Sequence, residues 1–269
     1  MSDGLAEKRA AQPAATGAIL DRRSLAASHR RLAEILRPGL SVLDVGCGTG
    51  SITRGIAMAV GPTGRVVGVD VNVAFIEKAR QAHGGVPGLS FEVRDIRTAP
   101  LSETFDVVTA SRTLGWLADP EGMLRAMVAA TRPGGIVIAL EYNQDKIEWT
   151  PQPPGSMSRF YTAFRRWRGE SGMDNEMADH LATLFERAGL EKLAVTEQHE
   201  IATRGEPGFA EQAGVWSDVA ASRGHQLVAD GAITERERSL AETEYRRWVE
   251  TTAERQLMYM LAAEGTRRA

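Results

Sequence analysis

The segment Val42-Leu43-Asp44-Val45-Gly46-Cys47-Gly48-Thr49-Gly50 constrains this chain more than any other. A run of apolar, strand-forming residues passes into three glycines at alternating positions and then into Ser51–Val60, whose apolar residues have helical spacing. Glycines at this density let backbone approach a ligand closely. The helix that follows presents unpaired N–H groups and a positive dipole end to a polar or anionic group. The segment therefore reads as the first strand, ligand loop and first helix of an open α/β sheet.

The pattern repeats. Ser41–Val45, Val66–Val69, Ser90–Val93, Phe105–Ala110 and Ile136–Leu140 are short strand-like runs, separated by helical stretches at Ser51–Val60, Asn72–Ala82 and Asp119–Thr131. This alternation predicts a parallel sheet covered on both faces. Asp119 followed by Pro120 is a helix start, and Arg132-Pro133-Gly134-Gly135 a stop. Only Phe75, Phe91, Phe105 and Trp116 among the aromatic residues precede residue 141, so the later part needs apolar bulk beyond the sheet. There, Ser156–Arg168, Asn175–Ala188, Gly208–Arg223 and Thr234–Ala253 read as helices, and Leu193–Ile201 and Gln256–Ala262 as strands. The expected organisation is a flexible tail over residues 1–20, a helix over 21–35, and a single domain over 21–269. That domain has its core at 38–141 and helical lid or substrate segments at about 142–189 and 207–253.

With 269 residues, 43% hydrophobic and 25% charged, the chain has the makeup of an ordinary globular protein, and its net charge of -3 gives no broad field for a nucleic-acid backbone. Cys47 is the only cysteine, so an internal disulfide and a thiolate metal cluster are excluded. The histidines show no metal-ligand spacing. The first twenty residues lack the apolar region of a secretory signal, and no window approaches eighteen uninterrupted apolar residues. A cytoplasmic protein without metal, nucleic-acid or membrane partner is expected, as monomer or homodimer.

Two ligand classes compete for the loop. A nicotinamide dinucleotide takes G-x-G-x-x-G after a first strand, but Ser51 stands where the third glycine of that pattern belongs. Asp70, with Val71 and Asn72, ends the second strand, where a carboxylate can hold both hydroxyls of a ribose or cap the next helix. Asp95 and Ile96 end the third strand and offer an acceptor beside an apolar wall, suited to an adenine amino group.

Together these residues resemble the class I S-adenosylmethionine-dependent methyltransferases, in particular the small-molecule branch that includes ubiquinone and menaquinone biosynthesis enzymes. The glycine loop, the acids after strands two and three, Phe105-Asp106-Val107-Val108 and Arg132-Pro133-Gly134-Gly135 fall in that family's order over about residues 30–141. The resemblance implies a Rossmann-like, seven-stranded, doubly wound sheet of order 3-2-1-4-5-7-6, with S-adenosyl-L-methionine as cofactor. It further implies Gly46, Cys47, Gly48, Thr49 and Gly50 around the methionine part, Asp44 near its amino group, Asp70 at the ribose, Asp95 and Ile96 at the adenine, and Ser111 facing the methionine end.

The acceptor should lie over the carboxyl ends of strands four and five. Glu141, Tyr142 and Asn143 emerge there, with Tyr142 as a base or hydrogen-bond donor, His180 as a second base candidate, and Glu141 open to an ion pair with an arginine. Trp149, Phe160, Tyr161, Phe164 and Trp216 are candidates for an aromatic acceptor pocket, or for core. Ser111-Arg112-Thr113-Leu114 stands where enzymes of the family that methylate exocyclic amines of nucleic acids or glutamine amides carry Asn/Asp-Pro-Pro-aromatic. A small, aromatic or planar organic acceptor is the expectation. The competing readings are a cofactor-binding regulatory or assembly protein without transferase activity, and a methyltransferase acting on tRNA or protein.

Overall fold

The computed structural model describes residues 2–13 and 16–269. Five parallel strands carry the core: β1 (Ser41–Val45), β2 (Arg65–Asp70), β3 (Leu89–Val93), β4 (Phe105–Ser111) and β5 (Thr131–Tyr142). They join β7 (Glu191–Glu197) and β10 (Met260–Thr266) in one sheet of order β3-β2-β1-β4-β5-β10-β7, in which β10 runs antiparallel to both neighbours. Counting only the strands of this sheet, the order is the expected 3-2-1-4-5-7-6. A second sheet pairs β6 (Glu148–Thr150), β9 (Arg255–Met258) and β8 (Glu200–Thr203).

Both faces of the large sheet are covered because its central strands are apolar on both sides. On one face, Leu32, Ile52, Ile56, Ile76 and Phe91 pack around α5 (Ser51–Val60) and α6 (Val73–His83). On the other, Leu124, Met127, Leu181 and Phe185 bring in α7 (Pro120–Ala130) and α9 (Met177–Arg187). A third apolar cluster, with no counterpart in the sheet, builds a helical cap from α8 (Gly155–Gly169), α10 (Phe209–Ala213), α11 (Val215–Ala221), α12 (Gly224–Ala229) and α13 (Glu235–Thr251). Thr234 and Glu237 close a capping box at the start of α13. Among the described residues, no helix is long and apolar enough to cross a membrane.

Several sequence expectations are corrected. Residues 1–20 do not form a featureless tail: α1 (Ser2–Ala10) and α2 (Gly17–Asp21) are helices, while residues 1, 14 and 15 lie outside the described residues. α1 docks through Lys8 and Arg9 instead of an apolar stripe, so periodicity misses it. The helix expected over 21–35 breaks into α3 (Leu25–Ser28) and α4 (Arg30–Ile35). Ser24 Oγ accepts from the Ala27 N–H, and His29 Nδ1 accepts from the Leu32 N–H, so each side chain starts a new helix. The single strands expected at Leu193–Ile201 and Gln256–Ala262 each divide, because in both places the chain crosses from one sheet to the other, at Gln198–His199 and at Tyr259. The helix expected at Gly208–Arg223 is interrupted at Gly214 and Ser222–Arg223. β5 starts at Thr131, since Gly134 and Gly135 exchange backbone hydrogen bonds with Arg267 instead of forming a free turn.

Candidate active site

A cavity of about 850 Å³ opens at the carboxyl ends of β1, β2 and β4, within the roughly 300–1,000 Å³ range of small-molecule sites. Asp44, Gly46, Cys47, Gly48, Thr49, Asp70, Val71, Asn72, Asp95, Ile96 and Ser111 all border it. The loop after β1 holds its shape by backbone pairing: the Gly46 and Cys47 N–H groups both donate to the Val69 carbonyl, at 2.8 and 3.0 Å. Gly46, Gly48 and Gly50 all have left-handed backbone, with φ of 71°, 55° and 81°. Gly50 does not border the cavity. A Cβ there would sit 2.7 Å from Cζ of Phe91, so its glycine serves close packing of α5 on β3.

The acids differ in their surroundings. Asp70 is half-buried; its Oδ2 accepts from the Gly48 N–H and its Oδ1 from the Asn72 N–H, each at 2.9 Å. One carboxylate thus ties the β1 and β2 loops together, while Asn72 caps α6 by accepting from Phe75 N–H at 3.2 Å. Burial raises the Asp70 carboxyl above the usual range against these backbone donors. Asp44 is buried beneath the loop and accepts from Thr53 Oγ1 at 2.6 Å. Burial, with the negative charge of Asp70 nearby, pushes its carboxyl up to about 7. Asp95 pairs with Arg97 at 2.7 Å, and that bond holds it below the ordinary range.

The acceptor-side expectations are largely corrected. Glu141 is buried and accepts from the Thr113 and Leu114 N–H groups at 2.7 and 2.6 Å; it organises the turn after β4 and makes no arginine ion pair among the described residues. Burial pushes its carboxyl up to about 7 against those donors and the positive charge of Arg168. Asn143 is buried, donating to Asp179 Oδ2 at 2.8 Å and accepting from the Asp145 N–H. Trp149, Tyr161, Phe164 and Trp216 pack edge-on, tilted or stacked against one another, Phe160 is buried in the same cap core, and none of the five borders the cavity. His180 lies exposed beside Asp174 at 2.6 Å, away from the cavity. Tyr142 stands behind Arg112, whose Nε donates to its hydroxyl at 2.7 Å. The alternation of side chains along β5 explains why neighbouring residues leave its end in opposite directions.

The structure supplies residues that sequence reasoning did not single out. Arg112, Thr113, Trp116, Leu117 and Met123 border the cavity beyond the end of β4. Arg112 is buried in left-handed backbone, φ 57°, an uncommon conformation for a side chain of its size. Trp116 has guanidinium groups of Arg223 and Arg168 over its ring, 3.8 and 4.2 Å from the centroid. Arg23 also borders the cavity, near Arg112, and no carboxylate lies within ion-pair distance of it among the described residues. The only sequence signal for these positions was their place after the fourth strand or before the first.

A family model described as a methyltransferase domain matches residues 36–189. The chain is 38% identical over 113 residues to the ubiquinone/menaquinone biosynthesis C-methyltransferase UbiE of Ectopseudomonas mendocina, covering 40% of this chain and 44% of that protein. It is 31% identical over 174 residues to the demethylmenaquinone methyltransferase of Lysinibacillus sphaericus, covering 59% and 73%. The chain thus spans under half the length of the first of these relatives. In fold it is similar to a SAM-dependent methyltransferase from Geobacter sulfurreducens in complex with S-adenosyl-L-homocysteine, with a TM-score of 0.51 at 20% identity over 88% of each chain. The matched stretch contains the glycine loop, Asp70, Asp95 and the end of β4, and by it the chain belongs to the class I S-adenosylmethionine-dependent methyltransferases.

Proposed function

We propose that the chain transfers a methyl group from S-adenosylmethionine to a small, planar organic acceptor of the quinone type. The observation that carries this reading is a single cavity whose wall joins the glycine loop and the carboxylates of β1–β3 to Arg112 and Trp116 beyond β4. The lining suits the cofactor. Arg23 offers an unpaired guanidinium for its carboxylate, Asp44 a buried acid for its ammonium, Asp70 an acceptor for the ribose hydroxyls, and Asp95 with Ile96 a polar edge and apolar wall for adenine. Bound there, the cofactor supplies an electrophilic methyl group on a sulfonium.

The chain's own contribution is then positioning and exclusion of water. Holding two reactants in line is worth up to roughly 7–11 kcal/mol. Trp116, fixed by the two guanidinium groups over its ring and by the turn that Glu141 holds, gives a flat acceptor a rigid apolar edge. Arg112, in the same cavity wall, adds a donor for an oxygen on such a ring. The quinone class is favoured by the names of the two relatives, one acting on demethylmenaquinone and one in ubiquinone/menaquinone biosynthesis. Screening quinols, phenols and amines for transfer of labelled methyl tests the proposal. Transfer confined to tRNA or protein substrates overturns it.

Two results follow from the acids. Asp70→Asn should weaken S-adenosylhomocysteine binding by about 1–2 kcal/mol, because one acceptor is lost both to the ligand and to the Gly48 N–H; calorimetry measures this. Asp44 gives a pH effect of definite sign. A carboxyl with its pKa near 7 in the free protein is largely protonated at pH 6, and an ammonium group placed beside it favours the charged form. Affinity for S-adenosylhomocysteine should therefore rise about tenfold from pH 6 to pH 8. Asp44→Asn should bind more weakly and lose that slope. An unchanged slope in the variant would show that another group titrates.

A further inference from the structure

α1 and the two residues after it complete neither the sheet nor a layer covering it, yet Ala6, Glu7, Ala10, Ala11 and Gln12 form part of the cavity wall. The Gln12 carbonyl accepts from Asn72 Nδ2 at 3.4 Å, which sets this residue against the loop after β2. Its side-chain Oε1 is buried and has no hydrogen-bond partner among the described residues. A buried acceptor without a donor is costly, and because Gln12 borders the cavity, a small rotation of its side chain offers this acceptor to a donor on the ligand.

The rest of the segment is fastened to the helical cap. Asp230, just after α12, accepts from Lys8 Nζ at 2.9 Å, from Arg9 Nε at 3.0 Å and from Trp167 Nε1 at 2.8 Å. The side chains of Arg9 and Asp230 are only 9% and 10% exposed, so water and salt screen this pair weakly. Against the effect of its burial, these donors hold the Asp230 carboxyl below its usual range. Arg223 Nη1 donates to the Arg9 carbonyl at 3.1 Å, and Gln226 Nε2 to the Ala11 carbonyl at 2.8 Å. The segment is thus held to the cap along α1 and touches the cofactor loops through Gln12.

We propose that α1, Ala11 and Gln12 form a strap that completes the cofactor site: Gln12 Oε1 accepts a hydrogen bond from the nucleoside part of the cofactor, and Asp230 latches the strap shut, so that its release governs cofactor exchange. The proposal rests on the S-adenosylmethionine reading of the cavity. Part of the wall is chain that can swing away without disturbing the sheet, and the two side-chain ion pairs of Lys8 and Arg9 that resist that movement converge on one carboxylate. Lids of this kind set turnover in many enzymes through product release.

The test measures the dissociation rate of S-adenosylhomocysteine by stopped-flow from the full chain and from Asp230→Asn and Gln12→Leu variants, with hydrogen exchange on each. Asp230→Asn should release the ligand about tenfold faster and accelerate exchange over residues 4–12 while leaving β1, β2 and β4 unchanged. Gln12→Leu should lower affinity about fivefold at an unchanged melting temperature, since it removes an acceptor that no other described residue uses. Where Asp230→Asn lowers the melting temperature of the cap, the paired Lys8→Gln and Arg9→Gln changes should reproduce the faster release. Wild-type rates in all these variants, with the ligand still binding, overturn the strap and leave the cofactor reading intact. No binding of S-adenosylhomocysteine to the wild type overturns the cofactor reading and the strap with it.

Discussion

Gly46→Ala is expected to cut S-adenosylhomocysteine affinity by about 100-fold or more. The backbone at Gly46 has φ 71°, a region that costs an L-residue roughly 1–2 kcal/mol. The added Cβ would also lie 2.7 Å from Cγ2 of Thr113, and Thr113 cannot easily yield. Its N–H is bonded to the buried Glu141, which also holds Leu114. The loop must therefore move instead of the turn. That displaces the Gly48 N–H from Asp70 and with it the register between the β1 and β2 loops. The two strain terms act together on the backbone that lies against the ligand, so binding should suffer far more than stability, with the melting temperature falling by only a few degrees. Calorimetric titration of the variant decides; affinity within threefold of the wild type would mean that the loop does not touch the ligand.

The cofactor half of this site was legible in the sequence because its geometry is local. Each acid sits at the end of a strand whose apolar run can be counted, and parallel pairing brings those ends together: Asp44 opposite Gly68, Val45 opposite Val69, and Asp70 opposite Val93. Gly50 shows the limit even there, since a glycine in the same motif answers to Phe91 and not to a ligand. The acceptor half was not legible. Which way a side chain leaves the end of β5 depends on strand phase and on what lies above the sheet, so Glu141 and Asn143 turn inward and Tyr142 turns to Arg112. The aromatic residues of the cap satisfy one another, because its five helices, three of them of seven residues or fewer, need a core of their own. α1 escaped notice for a different reason: its fastening to Asp230 is by charge across more than two hundred residues of sequence, which no local pattern records.

Trp116→Ala should lower turnover of the true acceptor by about 100-fold while changing S-adenosylhomocysteine affinity by less than about threefold. Trp116 is the large aromatic side chain of the cavity wall beyond β4, and it lies on the turn that Glu141 organises. Methyl transfer demands that the acceptor atom approach within a narrow range of angles, and a misplacement of about 1 Å is sufficient for a 100-fold loss. Truncation removes the apolar edge that would fix the plane of a ring. It also strips the Arg168 and Arg223 guanidinium groups of the aromatic surface on which they rest. Both are buried, and burial already lowers the affinity of each for its proton, Arg168 to about 10 and Arg223 to about 9, with Arg168 repelling Arg223. Some loss of stability must therefore accompany the change, and Trp116→Phe separates the two effects: it keeps an aromatic surface and should recover most of the turnover. The groups assigned to the cofactor, Asp44 in β1, Asp70 at the end of β2 and Asp95 just after β3, lie away from this turn and keep their own partners in both variants. Should Trp116→Ala and Trp116→Phe both turn over the acceptor at the wild-type rate, the acceptor does not lie against this wall, and its plane must be set by Arg112 and Thr113 instead.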